Sequence, residues 1–259
     1  MIDFHTHIIP NVDDGSKDIE STFELFKEAK NAGFDTIILT PHYIEDYYEA
    51  NKKINTDWQN ALTKGIIAKS ININLYLGNE SYISSNLIDL IKNDKVSTIN
   101  GSRYLLMELP LSSVPINLFD VIKELRSNGI IPIIAHPERY SFIQENPNKV
   151  CELLECGVLL QCNFCSILGT YGKFAKIVIK NLLENDLVSF LGSDVHTPKT
   201  IYPLIPEAKE QIIEIVGEKE FNIITCKNPI RVIKNEIVET KTARKIKLSL
   251  KDKIQMKMK

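Results

Sequence analysis

The chain has 259 residues, 44% of them hydrophobic and 25% charged, with a formal net charge of −2. This is the composition of an ordinary globular protein, long enough to bury a core without staples, and it excludes a disordered or collagen-like chain. Near-neutral charge gives no basis for nucleic-acid binding. Residues 1–5 lack the basic-then-apolar pattern of a secretion signal, and runs such as 129–135 are too short to span a bilayer, so a cytoplasmic protein is expected.

Strands are predicted at residues 2–5, 36–40, 74–78, 103–108, 130–135, 158–162 and 187–192. Several are wholly apolar, as strands buried on both faces are. Helical spacing occupies residues 16–32, 56–69, 86–92, 117–126, 149–155, 174–185 and 206–216. Ile19, Phe23, Phe26 and Ala29 share one face of the first helix, and Leu118, Val121, Ile122 and Leu125 share one face of the fourth. Ser16 is placed to cap the first helix, with Asp18 favouring its dipole. Strand followed by helix, about seven times over, implies an α/β protein with parallel strands, in a barrel or a doubly wound sheet. One domain over residues 1–240 is expected. Residues 241–259 form a basic C-terminal tail with one acid, Asp252, read as a solvated terminal helix.

The chain contains five histidines, His5, His7, His42, His136 and His196. Each lies at the end of a predicted strand or in the turn after it, where the active sites of parallel α/β barrels are built. His5-Thr6-His7 can point two imidazoles at one ion. Asp194-Val195-His196 repeats that spacing with a carboxylate, while Glu80 and Glu108 end their own strands. Asp14 stands free in the loop beside His5 and His7. Imidazoles mixed with carboxylates favour Mn²⁺, Fe²⁺ or Zn²⁺ over Mg²⁺ or Ca²⁺. So many ligands imply two or three ions, the usual machinery for in-line displacement at phosphorus. Arg139, in His136-Pro137-Glu138-Arg139, is the only one of five arginines beside such a motif and suits a phosphate oxygen.

The five cysteines, Cys151, Cys156, Cys162, Cys165 and Cys226, are read as reduced thiols, and Cys162-Asn163-Phe164-Cys165 has no second pair at zinc-ribbon spacing. A phosphocysteine mechanism needs C-x5-R, but Cys226 and Arg231 are separated by four residues. Thiol catalysis is therefore disfavoured.

Together these residues resemble the PHP (polymerase and histidinol phosphatase) superfamily, and within it the bacterial protein-tyrosine phosphatases of the CpsB/YwqE type. The matching pieces are M-I-D-F-H-T-H at 1–7, V-D-D-G at 12–15, T-P-H at 40–42, G-N-E at 78–80, the strand ending in Glu108, A-H-P-E-R at 135–139 and S-D-V-H at 193–196. The resemblance implies a distorted (β/α)7 barrel and a trinuclear site, manganese being the usual ion. It implies one metal on His5, His7, Glu80 and Asp194, a second on Glu80, Glu108 and His136, and a third on Asp14, His42 and His196. Arg139, His42 and His196 are the candidate catalytic residues, acting in in-line attack of a metal-activated water on phosphorus. The implied substrate is the phosphotyrosine tail of a bacterial tyrosine kinase controlling capsule or exopolysaccharide synthesis. The lysine-rich tail has no counterpart in the resemblance, and its charge alone suggests a weak contact to anionic membrane.

Family members often carry a further phosphate-binding Arg in the loop after D-x-H. Here residues 197–201 read T-P-K-T-I, leaving Lys199 as a point charge in its place. Three other readings compete. One is a PHP enzyme acting on histidinol phosphate or another small phosphomonoester, although V-D-D-G favours the tyrosine-phosphatase branch. Another is a non-catalytic, metal-bound regulator of a kinase. The third, an amidohydrolase, would carry a metal-bridging lysine and histidines where Glu80 and Glu108 stand.

Overall fold

In the computed structural model, residues 1–243, 245–250 and 252 are described. The strands are β1 (Ile2–Asp3), β2 (Thr36–Leu39), β3 (His42–Ile44), β4 (Tyr48–Glu49), β5 (Asn74–Leu77), β6 (Glu80–Tyr82), β7 (Tyr104–Glu108), β8 (Ile131–Ala135), β9 (Leu159–Asn163) and β10 (Phe190–Gly192). They pair in the orders β1-β2-β5 and β10-β9-β8-β7-β6-β3-β4, parallel everywhere except between β3 and β4. The α/β class expected from the alternation of strands and helices is what the chain adopts.

Beyond β2 and β5 the chain kinks and continues. Gly78 donates its backbone N–H to Leu39 O at 2.8 Å, and Glu80 donates to Pro41 O at 3.1 Å. The pairing of β2 with β5 thus passes to β3 with β6, where His42 sits opposite Glu80. Asn79 fastens the kink, donating to Pro41 O at 3.0 Å and Ala50 O at 2.9 Å while accepting from Ser97 N. The first and last strands meet at their C-terminal ends through a single parallel bridge, Thr6 to Val195. Asp194 N donates to His5 O at 2.8 Å and His7 N to Val195 O at 3.0 Å.

Period-two alternation sorts the strand side chains into two layers. Ile38, Leu106, Ile133, Leu159 and Phe190 join Phe4 in an inner cluster, and the rings of Phe4 and Phe190 stack at 4.2 Å. Their chain neighbours, among them Ile37, Leu105, Met107, Ile134 and Leu160, face outward onto the helices.

The helices are α1 (Ile19–Asn31), α2 (Lys52–Ala68), α3 (Leu87–Lys92), α4 (Leu118–Ser127), α5 (Ser141–Glu145), α6 (Lys149–Glu155), α7 (Lys173–Glu184), α8 (Ile205–Asn222) and α9 (Asn228–Ile233). The cap of α1 is Asp18, whose carboxylate accepts from Ser21 N at 2.7 Å, and not Ser16 as the sequence suggested. The Ser16 hydroxyl, three residues before the helix begins, is spent on Asp18 O and on Thr22 Oγ1. Likewise α2 starts four residues earlier than read, because Asn51 caps it by accepting from Ile54 N at 3.0 Å.

The start of the basic tail is tied down. Lys241 pairs with Asp186 at 2.5 Å and Glu220 at 2.8 Å, and buried Ile246 donates its N–H to Asn148 Oδ1. Lys245 and Lys247 are exposed. Arg244, Lys251, Lys253, Lys257 and Lys259 of that tail lie outside the described residues.

Candidate metal centre

The inner face of the strands turns from apolar to ionisable at one level. On β7 the sequence Tyr104, Leu106, Glu108 keeps a single face by alternation, and Glu80 follows Gly78 in the same way. His42 opens β3 directly opposite Glu80. His136 is out of phase, since Ala135 already faces inward; a left-handed backbone at φ 31° swings it into the site. Asp194 also has positive φ, at 55°. Gly192 permits the tight approach of β10 to His5, because a Cβ there would lie 2.6 Å from His5 Cβ and 2.9 Å from its N.

All nine candidate ligands converge. Glu80 is at the centre: Oε2 lies 3.1 Å from His5 Nε2, 3.2 Å from His7 Nε2 and 3.1 Å from His42 Nδ1, and Oε1 lies 3.0 Å from His136 Nε2. Glu108 lies 3.7 Å from His136 and 3.8 Å from His42. Asp194 Oδ1 lies 3.7 Å from His5, 3.5 Å from His7 and 3.8 Å from His196. Asp14 Oδ1 lies 3.6 Å from His42 and 3.5 Å from His196 on the solvent side. Three groups have ligand atoms close enough to share an ion: His5, His7 and Glu80; His42, Glu80 and Glu108; and His7, Asp14, His42 and His196.

Hydrogen bonds behind the imidazoles settle which ring nitrogen is free. His5 Nδ1 contacts Gln161 Oε1 at 2.8 Å, His7 Nδ1 contacts Asp13 Oδ2 at 2.8 Å, and His196 Nδ1 contacts Asp194 O at 2.9 Å. Each partner is an acceptor, so each Nδ1 carries a proton and Nε2 is the nitrogen left to bind an ion. Yet His5 Nε2 and His7 Nε2 are 3.0 Å apart. A proton or a metal ion must lie between or beside two ring nitrogens at that separation. Among the described residues, Glu80 Oε2 and His42 Nδ1, which face each other in the ligand layer, are buried without a hydrogen-bond partner, as suits groups that bind metal. The donor set therefore fits divalent ions.

With protons as the only cations, the charges compensate one another. Burial works against a charged His7, but Asp13 and Glu80 outweigh it and hold the ring well above its ordinary pKa. Burial likewise opposes charge on His5, and Glu80 and Asp194 raise it. Burial and the field of Glu80 push Glu108 up to about 8. Burial drives His42 down to about 4, leaving it a neutral ligand. For Asp194 burial is outweighed by His5, His136, His196 and Arg139, and its carboxyl falls below the usual range.

Arg139 Nη1 donates to Asp194 Oδ2 at 2.7 Å, and its guanidinium lies over the Tyr171 ring at 4.7 Å. Lys199, by contrast, is turned away: Nζ pairs with Glu24 at 2.9 Å and its backbone N–H donates to Glu28. Its ammonium is paired with Glu24 and with none of the nine candidate ligands among the described residues.

Sequence reading missed the supports. Asp13 holds His7 and accepts from His42 N at 2.9 Å. Gln161 holds His5 and donates to Asn163 Oδ1, while Asn163 donates to Asp194 Oδ2 at 2.8 Å. Glu138, fully buried, accepts from Asn163 N and Ser166 Oγ. Alternation was the available signal: Gln161 and Asn163 follow Leu159 on its inner face. Cys162 and Cys165 are buried, and burial raises both thiols, Cys165 to about 12.

Residues 1–234 match a protein family described as capsular polysaccharide synthesis, CpsB/CapC. The putative tyrosine-protein phosphatase CapC of Staphylococcus aureus is 36% identical over 197 residues, 76% of this chain and 77% of its own length. Tyrosine-protein phosphatase CpsB of Streptococcus pneumoniae is 30% identical over 246 residues, covering 92% of this chain and 100% of CpsB. A solved structure from a description of YwqE of Bacillus subtilis and CpsB of Streptococcus pneumoniae as metal-dependent tyrosine phosphatases aligns with a TM-score of 0.89. Its identity is 29%, over 95% of this chain and 100% of that one. A histidinol phosphate phosphatase from Lactococcus lactis shares the fold, with a TM-score of 0.57 at 16% identity over 83% of this chain and 93% of its own.

Proposed function

The chain belongs to the CpsB/CapC family of capsular polysaccharide synthesis proteins, and from that membership and the geometry of its site we propose that it is a metal-dependent protein-tyrosine phosphatase. The observation that carries this reading is the layer of nine candidate ligands, with the buried and unpartnered Glu80 Oε2 at its centre. Three ions, manganese by preference, would be held by His5, His7, Glu80 and Asp194, by Glu80, Glu108 and His136 with His42 alongside, and by Asp14, His42 and His196 with His7 alongside. When bound, the ions supply Lewis acidity, making water reactive near neutral pH and neutralising charge on the phosphoryl oxygens.

The residues of the chain supply the rest. Asp13, Gln161 and the Asp194 carbonyl each hold a proton on Nδ1, so that Nε2 is the nitrogen turned inward to bind an ion. Asp194 holds one amino group of Arg139 and leaves the rest of the guanidinium to grip a non-bridging phosphate oxygen. With Nδ1 of His196 committed to a carbonyl, His42 and His196 enter catalysis as ligands on the side of the site open to solvent. A phenolate leaves more easily than an alkoxide and asks less of a general acid. The substrate we favour is a phosphotyrosine-bearing tail of a bacterial tyrosine kinase in capsule or exopolysaccharide synthesis. Such a tail could enter an open site without unfolding. No helix among the described residues is long and apolar enough to cross a membrane.

The test is hydrolysis of a phosphotyrosine peptide, a phosphoserine peptide and histidinol phosphate side by side with added Mn²⁺. Preference for the phosphotyrosine peptide is expected. Preference for histidinol phosphate would move the protein to the small-molecule branch, and turnover of none of the three would favour a non-catalytic regulator.

A further inference from the structure

Among the described residues, Arg139 is the only Lys or Arg paired with one of the nine candidate ligands. A phosphate held by metals and one guanidinium is bound alike whatever it esterifies. Selection of an aryl ester therefore has to come from the group that carries the phosphate. That group lies toward the solvent side, where the Asp14 side chain is 50% exposed and the His196 side chain 29%.

Tyr48 stands at this side. The β3–β4 hairpin, closed by Tyr47 N donating to Ile44 O at 3.0 Å, sets Tyr48 opposite Ile44 and brings it back over the start of β3. Its ring lies nearly parallel to that of His42, at 6.1 Å and 12°. Tyr47 packs edge-on against it at 4.5 Å. Tyr48 is half-buried, so part of its ring is open to a ligand.

We propose that Tyr48 is a specificity-determining residue, the wall against which the phenyl ring of an aryl phosphate lies while its phosphate occupies the ligand layer. The inference rests on the phosphatase reading above and names the feature that would make it selective for tyrosine. Stacking supplies attraction to a phenyl ring and none to the methylene of phosphoserine.

The test measures binding to the Mn²⁺-loaded protein by calorimetry, with phenylphosphonate and methylphosphonate as paired probes. The wild type should bind phenylphosphonate more tightly. Tyr48→Ala should weaken phenylphosphonate by roughly 2- to 12-fold, the range an aromatic pair contributes, and leave methylphosphonate and metal content unchanged. Tyr48→Phe should keep wild-type affinity for both. The KM for a phosphotyrosine peptide should rise in Tyr48→Ala with kcat retained. Equal weakening of both phosphonates, or loss of metal, would assign Tyr48 to propping His42 and overturn the proposal, as would unchanged binding of both. Failure of the phosphatase reading looks different: the loaded wild type would leave the phosphotyrosine peptide intact, whatever the two phosphonates do.

Discussion

Two layers a few residues apart on the same strands obey opposite rules. The inner apolar cluster of Phe4, Ile38, Leu106, Ile133, Leu159 and Phe190 is fully buried and has nothing left to satisfy. Directly beyond it, Glu80, Glu108, Asp194 and four histidines crowd together at 3.0–3.8 Å, with buried atoms that lack partners among the described residues. The first arrangement contributes stability through burial. The second is costly in the absence of metal, because it desolvates charge and leaves buried polar atoms without partners. Strands that are stable below can carry an arrangement above them that is complete only when loaded.

Substitutions can break that division. The largest effect is expected at the centre of the ligand layer: Glu80→Ala or His136→Ala should lose metal and turnover together, measured by metal analysis and phosphotyrosine-peptide hydrolysis, while the thermal transition of the metal-free protein stays cooperative. Metal retained at full stoichiometry in either variant would remove that residue from the ligand set. In the apolar layer, Phe190→Ala should lower unfolding stability by about 3–5 kcal/mol in denaturant titration. Its folded fraction should still bind metal. Loss of metal at unchanged stability would show that the two layers are not separable.

Smaller effects sharpen the comparison. Arg139→Ala should keep its metals and lower kcat/KM by roughly 10²–10³-fold, as for loss of one charge-assisted contact to the transition state. Near-normal kcat/KM would remove Arg139 from the catalytic residues. In the metal-free protein His5 and His7 are raised by their carboxylate neighbours and Glu108 lies at about 8, so at pH 7 Glu108 carries a proton that an ion must displace. Metal affinity should therefore climb as pH rises toward 8 and weaken as it falls. Calorimetry in buffers of different ionisation enthalpy should detect proton release at pH 7, and none would mean Glu108 is already deprotonated. The smallest effects are expected outside both layers. Lys199→Ala, whose partner is Glu24, and alkylation of accessible cysteines should leave kcat/KM unchanged. A large loss from alkylating Cys226 alone, with the fold intact, would reopen thiol chemistry.

The legibility of the two layers differed for physical reasons. Apolar strands and strand-end histidines announce themselves, and Glu80 and Glu108 lie in phase with the apolar residues before them. Pro41 and Asn79 looked like the ends of strands, so β3, β4 and β6 went unread. In the structure these residues are kinks inside a continuing ladder, fastened by Asn79. Asp13, Gln161 and Asn163 were missed because a residue that orients a ligand has no spacing of its own. Ser16 was misread as a cap because serine before an acidic residue suits a helix start, and only tertiary contact with Thr22 diverts its hydroxyl.

The most direct measurement is turnover of a phosphotyrosine peptide by the protein stripped of metal with a chelator and dialysed, before and after Mn²⁺ is restored. The converged ligands require no turnover in the stripped protein and full recovery on reloading, with iodoacetamide treatment making no difference. Turnover by verified metal-free protein at the rate of the loaded enzyme would contradict a metal-dependent site.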